Sequence, residues 1–242
     1  MDVKVERFLR FLEVISSIFI AIALLPIMFI VAALSRLEIK KVSIFFLQER
    51  IGKDGKPFNI IKFRTMRRTI ADAEDDGILN SFTEKLVTKF GKFLRKTRLD
   101  ELPQIFNVIK GDMSFIGHRP LTMSFFDLIN NDVEYRKILK FKPGITGYAT
   151  LKILDYENNV LSNAENRIDA YRRFIFPKKM KYNLEYLKKK GLWLDMNIIF
   201  MTGVVFCRYF VAASMMAIAD FFDESKAKNM PIVEKNKKVI KR

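Results

Sequence analysis

The 242-residue chain holds one cysteine, one histidine and one tryptophan. Cys207 lies in an apolar run, which excludes a disulfide framework and a cysteine-based zinc set. With His118 as the sole histidine, acid–base or nucleophilic work falls most naturally to Asp and Glu rather than to a histidine-centred triad. Acidic residues are outnumbered, 27 against 43 Lys and Arg, which leaves a formal net charge of +16. There are no internal repeats or low-complexity domains. No small-residue cleavage site closes the first apolar run, so no cleavable signal peptide is expected. What is abundant is apolar sequence, 50% of all residues. The length allows one domain with a sizeable core plus a membrane element. Nucleic acid would account for the charge but not for the long apolar runs. An anionic membrane face or a phosphorylated substrate accounts for both.

Met1 to Arg10 is charged and amphipathic. Ile15 to Leu34 then runs for twenty residues without a charge, long enough to cross a hydrocarbon core of ~30 Å. Pro26 near its middle removes a backbone hydrogen bond and favours a kink. Both flanks are basic, with Lys4, Arg7 and Arg10 before and Arg36, Lys40 and Lys41 after, and the positive-inside tendency draws both to the cytoplasmic face. A helix that enters, bends at Pro26 and returns satisfies both flanks; one spanning helix is the ordinary alternative. Residues 1–40 are therefore expected to form a re-entrant membrane element. Residues 41–222 are expected to form a cytoplasmic, membrane-associated domain and 223–242 a basic, disordered tail.

Val42 to Leu47 and Phe58 to Phe63 have strand character, and the turn-rich QERIGKDGKP between them predicts a hairpin. Alternation puts Lys62 and Arg64 on one face, where they can reach one anion together. An exposed basic edge strand would look the same. Thr69 to Asn80 is acidic and expected to be a solvated loop rather than a metal site. Leu86 to Lys96, Leu121 to Leu139 and Ala164 to Lys190 have helical patterns. Lys188, Lys189, Lys190 and Trp193 beside the apolar run Ile198 to Phe222 predict an interfacial helix. Arg208 and Asp220 weigh against a second spanning helix, since a charge at bilayer depth costs roughly 2.5–3.5 kcal/mol. The fold class expected is α+β, mainly helical, with a short β-hairpin, a re-entrant helix and interfacial amphipathic helices.

The densest stretch is Lys96 to Pro120, KTRLDELPQIFNVIKGDMSFIGHRP. Asp100 and Glu101 are expected at a helix start, with Pro103 in the first turn and Gly111 as the stop. Leu102, Ile105, Phe106 and Ile109 give an apolar face at helical spacing. Two carboxylates at such a start, with Arg95 and Arg98 before and Arg119 after, point to chemistry on an anion; an N-cap acid with a solvated neighbour is the plainer alternative. Further on, KPGITGY reads as a turn-rich loop whose Pro143, Gly144 and Gly147 let backbone approach a ligand closely.

LDELPQ, NVIKGDMSFIGHRP and KPGITGY, in that order, resemble the bacterial sugar transferases, which are monotopic polyprenyl-phosphate phosphoglycosyl transferases. The similarity runs from near the N-terminus to about residue 205. It implies that Asp100 attacks the sugar-bearing phosphate of a nucleotide diphosphate sugar, most commonly a UDP-sugar. Nucleoside monophosphate then leaves, and a polyprenyl phosphate such as undecaprenyl phosphate takes the phosphosugar from the aspartyl intermediate. The same resemblance matches Glu101 to a Mg²⁺-binding neighbour and Lys62, Arg95 and Arg119 to phosphate-binding positions. Arg64 joins them by alternation, and Pro143, Gly144, Thr146, Gly147 and Tyr148 form the expected substrate loop. It also implies a bacterial inner-membrane location on the cytoplasmic face, contact with anionic lipid and the initiating step of a surface glycan. A homodimer is compatible with it.

The chain departs from the family's pattern in three places. Leu25 stands where a serine commonly precedes the proline, and His118 replaces a proline between Gly117 and Arg119. Tyr148 replaces a tryptophan, and no glycine–arginine pair follows it in LKILDYENN. Two rival readings have their own signatures. A non-catalytic protein binding anionic lipid has no use for the paired acids. A membrane-bound nucleotide-sugar pyrophosphatase would use water as acceptor and need no lipid.

Overall fold

In the computed structural model, residues 3–39, 42–66, 87–130 and 132–228 are described. The acidic run 69–80 and the tail beyond Lys228 lie outside them. The first element is helix α1, Val3–Glu38, which runs through Pro26. Strands β1 (Phe45–Ile51) and β2 (Pro57–Phe63) follow as an antiparallel hairpin pairing Phe46 with Lys62 and Arg50 with Phe58. The hairpin was expected. Its first strand, however, takes in Gln48 to Ile51, which the turn-rich composition had assigned to the connection. The reversal itself needs only Gly52 to Lys56, with Asp54 and Gly55 at positive φ.

Helix α2 (Lys89–Thr97) is capped by the Thr88 hydroxyl, which accepts from the Gly91 amide at 2.8 Å. It ends at Arg98, a non-glycine residue in the left-handed region (φ 60°). A 3₁₀ turn, Leu99–Glu101, leads into α3 (Gln104–Lys110), which Gly111 closes at φ 100°. The two acids thus precede the helix, and Pro103 is its N-cap rather than a first-turn residue. The buried face of α3 also differs from the apolar one expected. Gln104, Ile105, Asn107 and Val108 point inward, while Phe106 is exposed. The reason is Asn107. Its amide group donates to the Asn59 carbonyl at 2.8 Å, and its side-chain oxygen accepts from the Ile61 amide at 2.9 Å. A polar side chain therefore continues the edge of β2 and fixes the rotation of α3.

Short strands β3 (Ser114–Ile116) and β4 (Gly144–Thr146) pair in parallel. KPGITGY is consequently a strand entering a helix, not a free loop. Its glycines let backbone meet backbone: a Cβ on Gly144 would lie 2.1 Å from the Gly117 nitrogen, and one on Gly147 2.0 Å from the Gly117 oxygen. The segment expected as one helix over 121–139 is α4 (Met123–Asn130), α5 (Val133–Arg136) and a 3₁₀ turn, Lys137–Lys140. Helix α6 (Tyr148–Ser162), α7 (Arg167–Ala170), a π-helical turn (Tyr171–Ile175) and α8 (Phe176–Lys189) come next. Helix α9, Leu192–Lys228, passes the expected start of the tail. The mainly helical α+β class is as expected.

The largest core joins Ile51, Leu121, Phe125, Ile129, Ile153, Ile175 and Met180 across β1, α4, α6 and α8. A second cluster seats Met28 and Val31 of α1 on Phe63 and Leu94, with Leu99 and Leu102 against it. Helix α1 is tied to this body at both ends. Near the start, Arg10 donates to the Val108 carbonyl at 2.6 Å, and Glu13 accepts from the Phe115 amide at 3.0 Å. Near the end, Glu38 accepts from the Phe90 amide at 3.1 Å. Between those ties it presents Phe19, Ile22, Phe29 and Ile30 outward. Among the described residues, two helical stretches, Arg7–Glu38 and Leu192–Met215, are long and apolar enough to cross a membrane.

Candidate active site

The turn carrying Asp100 and Glu101 is held from below. Leu99 and Leu102, on either side of the acids, pack into the cluster formed with α1. The carboxylates face a cleft of about 390 Å³ lined by Lys62, Arg64, Arg95, Arg98 and Arg119 among others. These five cations, part of a larger set, come from β2, the chain just after it, α2, the turn following α2 and the segment after β3. Each site residue predicted as catalytic or phosphate-binding therefore lines one cleft.

Within it the two acids are treated differently. Glu101 offers one oxygen, Oε1, to Arg119 at 3.2 Å, Lys62 at 3.5 Å and Arg98 at 3.6 Å. Burial pushes its pKa up, but Arg119, Lys62 and Arg98 outweigh that and hold it well below the usual carboxylate range. Asp100 has a buried oxygen, Oδ1, with no hydrogen-bond partner among the described residues. Burial and the neighbouring Glu101 charge raise its pKa to about 6, against the pull of Lys62, Arg98 and Arg95. Two adjacent carboxylates are driven apart in basicity by their partners. Lys62 is itself lowered by burial, with Glu101 opposing the shift.

The outer cations are positioned as well. Arg95 donates to the Thr65 hydroxyl at 2.8 Å, and Arg64 donates to the Ser43 carbonyl at 3.0 Å while lying over the Phe46 ring. His118 is buried, with Nδ1 3.1 Å from the Arg119 carbonyl and Nε2 3.3 Å from that of Phe141. Burial lowers its pKa against those contacts, so it packs beside the site rather than facing an anion.

No group of three or more Asp, Glu, His or Cys residues stands together among the described residues, so no all-protein metal cage exists there. The acid pair nevertheless fits a magnesium ion. Such an ion is commonly held by one or two carboxylates, with waters and substrate phosphates completing its shell. The unpartnered Asp100 oxygen is the kind of group that shell would satisfy.

Residues 5–209 match the family model described as bacterial sugar transferase. The chain belongs to the bacterial sugar transferase family. It is 37% identical over 202 residues to a UDP-glucose:undecaprenyl-phosphate glucose-1-phosphate transferase of Klebsiella pneumoniae, covering 81% of this chain and 39% of that protein. It is 36% identical to a UDP-N-acetylgalactosamine-undecaprenyl-phosphate N-acetylgalactosaminephosphotransferase of Aeromonas hydrophila, covering 73% and 38%. An uncharacterized sugar transferase of Bacillus subtilis is 34% identical, covering 80% of this chain and 84% of its own length. The matched region thus spans about two fifths of the first two relatives.

In this sugar transferase the expected substrate loop sits apart from the acids. Pro143 is fully buried, and residues 143–148 are not among those lining the cleft. Thr146 bonds Thr202, and the Tyr148 hydroxyl donates to Glu185 at 3.1 Å. Other lining residues stand outside the set that the sequence predicts. Arg50 shares a strand face with Gln48 and Phe46, and donates to Gln48 at 3.1 Å. Alternation would have found it had the strand been extended through QERI. Lys179 and Glu157, paired at 2.7 Å across α8 and α6, carry no local signal at all.

Proposed function

We propose that this chain transfers a phosphosugar from a nucleotide diphosphate sugar, of the UDP class named in its relatives, to undecaprenyl phosphate. The observation that carries the reading is Asp100: a buried, unpartnered carboxylate oxygen beside a charge-saturated Glu101 in a cleft of converging cations. An oxygen of Asp100 attacks the sugar-bearing phosphorus. The bond from that phosphorus to the oxygen bridging the two phosphates breaks, and nucleoside monophosphate leaves with the electron pair. A terminal oxygen of the lipid phosphate then attacks the same phosphorus and returns Asp100 as a free carboxylate.

The protein's share is charge placement. An anion attacking an anion needs opposite charges already in position, each worth about 4 kcal/mol at ~4 Å and an effective dielectric near 20. Lys62, Arg98 and Arg119 supply them on one side, with Arg64 and Arg95 along the cleft. A pKa near 6 leaves Asp100 largely ionised at neutral pH yet more basic than an ordinary aspartate. Glu101, with waters and phosphate oxygens, would hold magnesium, which when bound neutralises phosphate charge as a Lewis acid.

The ties at both ends of α1 support a re-entrant seating on the cytoplasmic face of a bacterial inner membrane. Helix ends bonded to one folded body are hard to reconcile with ends on opposite sides of a bilayer. Cysteines placed at Asp2 and Asp54 in a Cys207→Ser background should label from the same side. Opposite accessibility would establish a spanning helix.

The test of the reaction is the nucleotide released. Purified chain with magnesium, undecaprenyl phosphate and a panel of UDP-sugars should yield uridine monophosphate in steady turnover that needs the lipid. Uridine diphosphate would mean attack at the sugar carbon and would remove Asp100 as nucleophile. Equal release without lipid would mean a hydrolase.

A further inference from the structure

The cleft has a second wall with other chemistry. Thr150, Leu154, Glu157, Asn158 and Leu161 line it, and that spacing is one face of α6. The stripe carries a carboxylate and no cation. Glu157 Oε1 accepts from Lys179 of α8 at 2.7 Å, and among the described residues no other hydrogen bond or ion pair reaches Glu157. The pair is largely buried, with side chains 18% and 8% exposed. Lys179 also lies 3.5 Å from the Tyr171 hydroxyl, which the π-helical turn brings to the cleft.

Such a wall suits neither a phosphate nor a polyprenyl tail. A carboxylate repels the first, and a buried ion pair offers little to the second. It suits a neutral ring with several hydroxyls: Glu157 accepts from them, Lys179 and Tyr171 donate, and Leu154 and Leu161 cover a C–H face. Its position agrees. Arg119 lies 3.2 Å from Glu101 and within electrostatic reach of Glu157 and Tyr171. Arg119 and this wall line the same cleft, so the group bonded directly to a phosphate held at Arg119 has the wall within reach.

We infer that this face of α6, with Glu157 as the hydroxyl acceptor and Asn158 beside it, is the subsite that reads the sugar. The inference rests on the transfer reaction proposed above. Glu157→Gln keeps the shape but weakens acceptance from a hydroxyl. Across UDP-glucose, UDP-galactose and their N-acetylated counterparts, it should change the ratio of best to worst kcat/KM by about tenfold or more. Inhibition by uridine monophosphate, which lacks the sugar, should stay within about twofold. Asn158 is exposed and donates to the Tyr209 hydroxyl of α9 at 2.8 Å in an exposed contact, so Asn158→Ala should fold at little cost and shift the same ratio in a smaller degree.

A uniform fall across the panel with a lowered Tm would make the pair merely structural, and an unchanged ratio in Asn158→Ala as well would overturn the subsite. Weakened inhibition by the monophosphate would assign the wall to the nucleoside instead. Failure of the wild-type chain to release monophosphate would strike the transfer reaction alone, because the sugar ratio is also read in equilibrium binding of UDP-sugars against UDP.

Discussion

The two walls of the cleft solve the same electrostatic problem in opposite ways. On the Asp100 wall, three cations crowd one oxygen of Glu101, and Oδ1 of the neighbouring Asp100 has no hydrogen-bond partner among the described residues. On the α6 wall, one acid meets one lysine, and charge is balanced within the pair. The first arrangement keeps surplus positive potential for an incoming anion and keeps one carboxylate reactive. The second is locally neutral and can only offer hydrogen bonds. Charge count alone does not separate a phosphate site from a hydroxyl site; the partner of each carboxylate does.

The strongest way to break that contrast is to take the charge from Asp100. Asp100→Asn should lower turnover by about 10⁴-fold or more while membrane binding and folding persist. It should also raise stability at pH 7 by on the order of 1 kcal/mol, since a carboxylate whose pKa is raised by burial opposes folding when ionised. Thermal unfolding of the variant checks the second half. A Tm below wild type would mean that Asp100 is satisfied in a way its unpartnered oxygen does not suggest.

Glu101→Gln attacks the same wall from its stabilised side. Lys62, Arg98 and Arg119 lose their common partner, and Lys62 is nearly buried. Activity should fall about 10²–10³-fold and stability by about 2 kcal/mol, less than for a fully buried pair because Arg98 and Arg119 are partly solvated. Here Tm should drop, opposite in sign to Asp100→Asn, and this opposition is the measurement that sharpens the comparison.

The acids also give a pH signature. Asp100 must be ionised to attack, so kcat/KM should fall about tenfold per pH unit below its pKa of about 6. Stability moves the other way for this residue. The folded chain holds the Asp100 proton more tightly than the unfolded one, so its support is present at low pH and is lost as pH rises through about 6. Glu101, with a depressed pKa, stabilises above the ordinary carboxylate range and loses that contribution as pH falls. A rate profile with its acid limb near 4 rather than 6 would put the nucleophile in an ordinary solvated setting.

Most of the Asp100 wall was readable from sequence because its parts are short-range. Asp100, Glu101, Arg95, Arg98 and Arg119 fall within one stretch, and alternation supplied Lys62 and Arg64. What alternation missed was Arg50, hidden by turn-like residues that in fact continue β1. The α6 wall was not readable, because Lys179 meets Glu157 only after α6 and α8 pack around Ile153 and Met180. KPGITGY differs from its sequence reading in another way, as a strand entering a helix outside the residues that line the cleft. Its Gly144 and Gly147 allow the close crossing of β4 against Gly117, a contact between distant segments that local composition does not report. The buried face of α3 was misjudged because a polar residue, Asn107, sets its rotation by bonding to β2. A hydrophobic pattern cannot report that.

A pair of variants away from the acids, one of them with the smallest effect expected, tests whether burial, and not pairing itself, sets the α6 wall apart. Arg173 and Asp169 form an i,i+4 pair at 3.0 Å, with side chains 70% and 49% exposed. Lys179 and Glu157 pair at a similar distance, 2.7 Å, but removed from water. Lys179→Met fills similar space yet leaves Glu157 charged and without its lysine, which should cost about 3 kcal/mol and show as a lower denaturant midpoint with an unchanged slope. Arg173→Met removes a contact only slightly longer, whose charges water already screens, and should stay within about 0.5 kcal/mol. Equal losses from the two variants would mean that the α6 wall is wet and its ion pair no stronger than a surface one. An acid that solvated would not hold a fixed orientation toward a sugar hydroxyl, so the unequal result is what ties the neutrality of this wall to its selectivity.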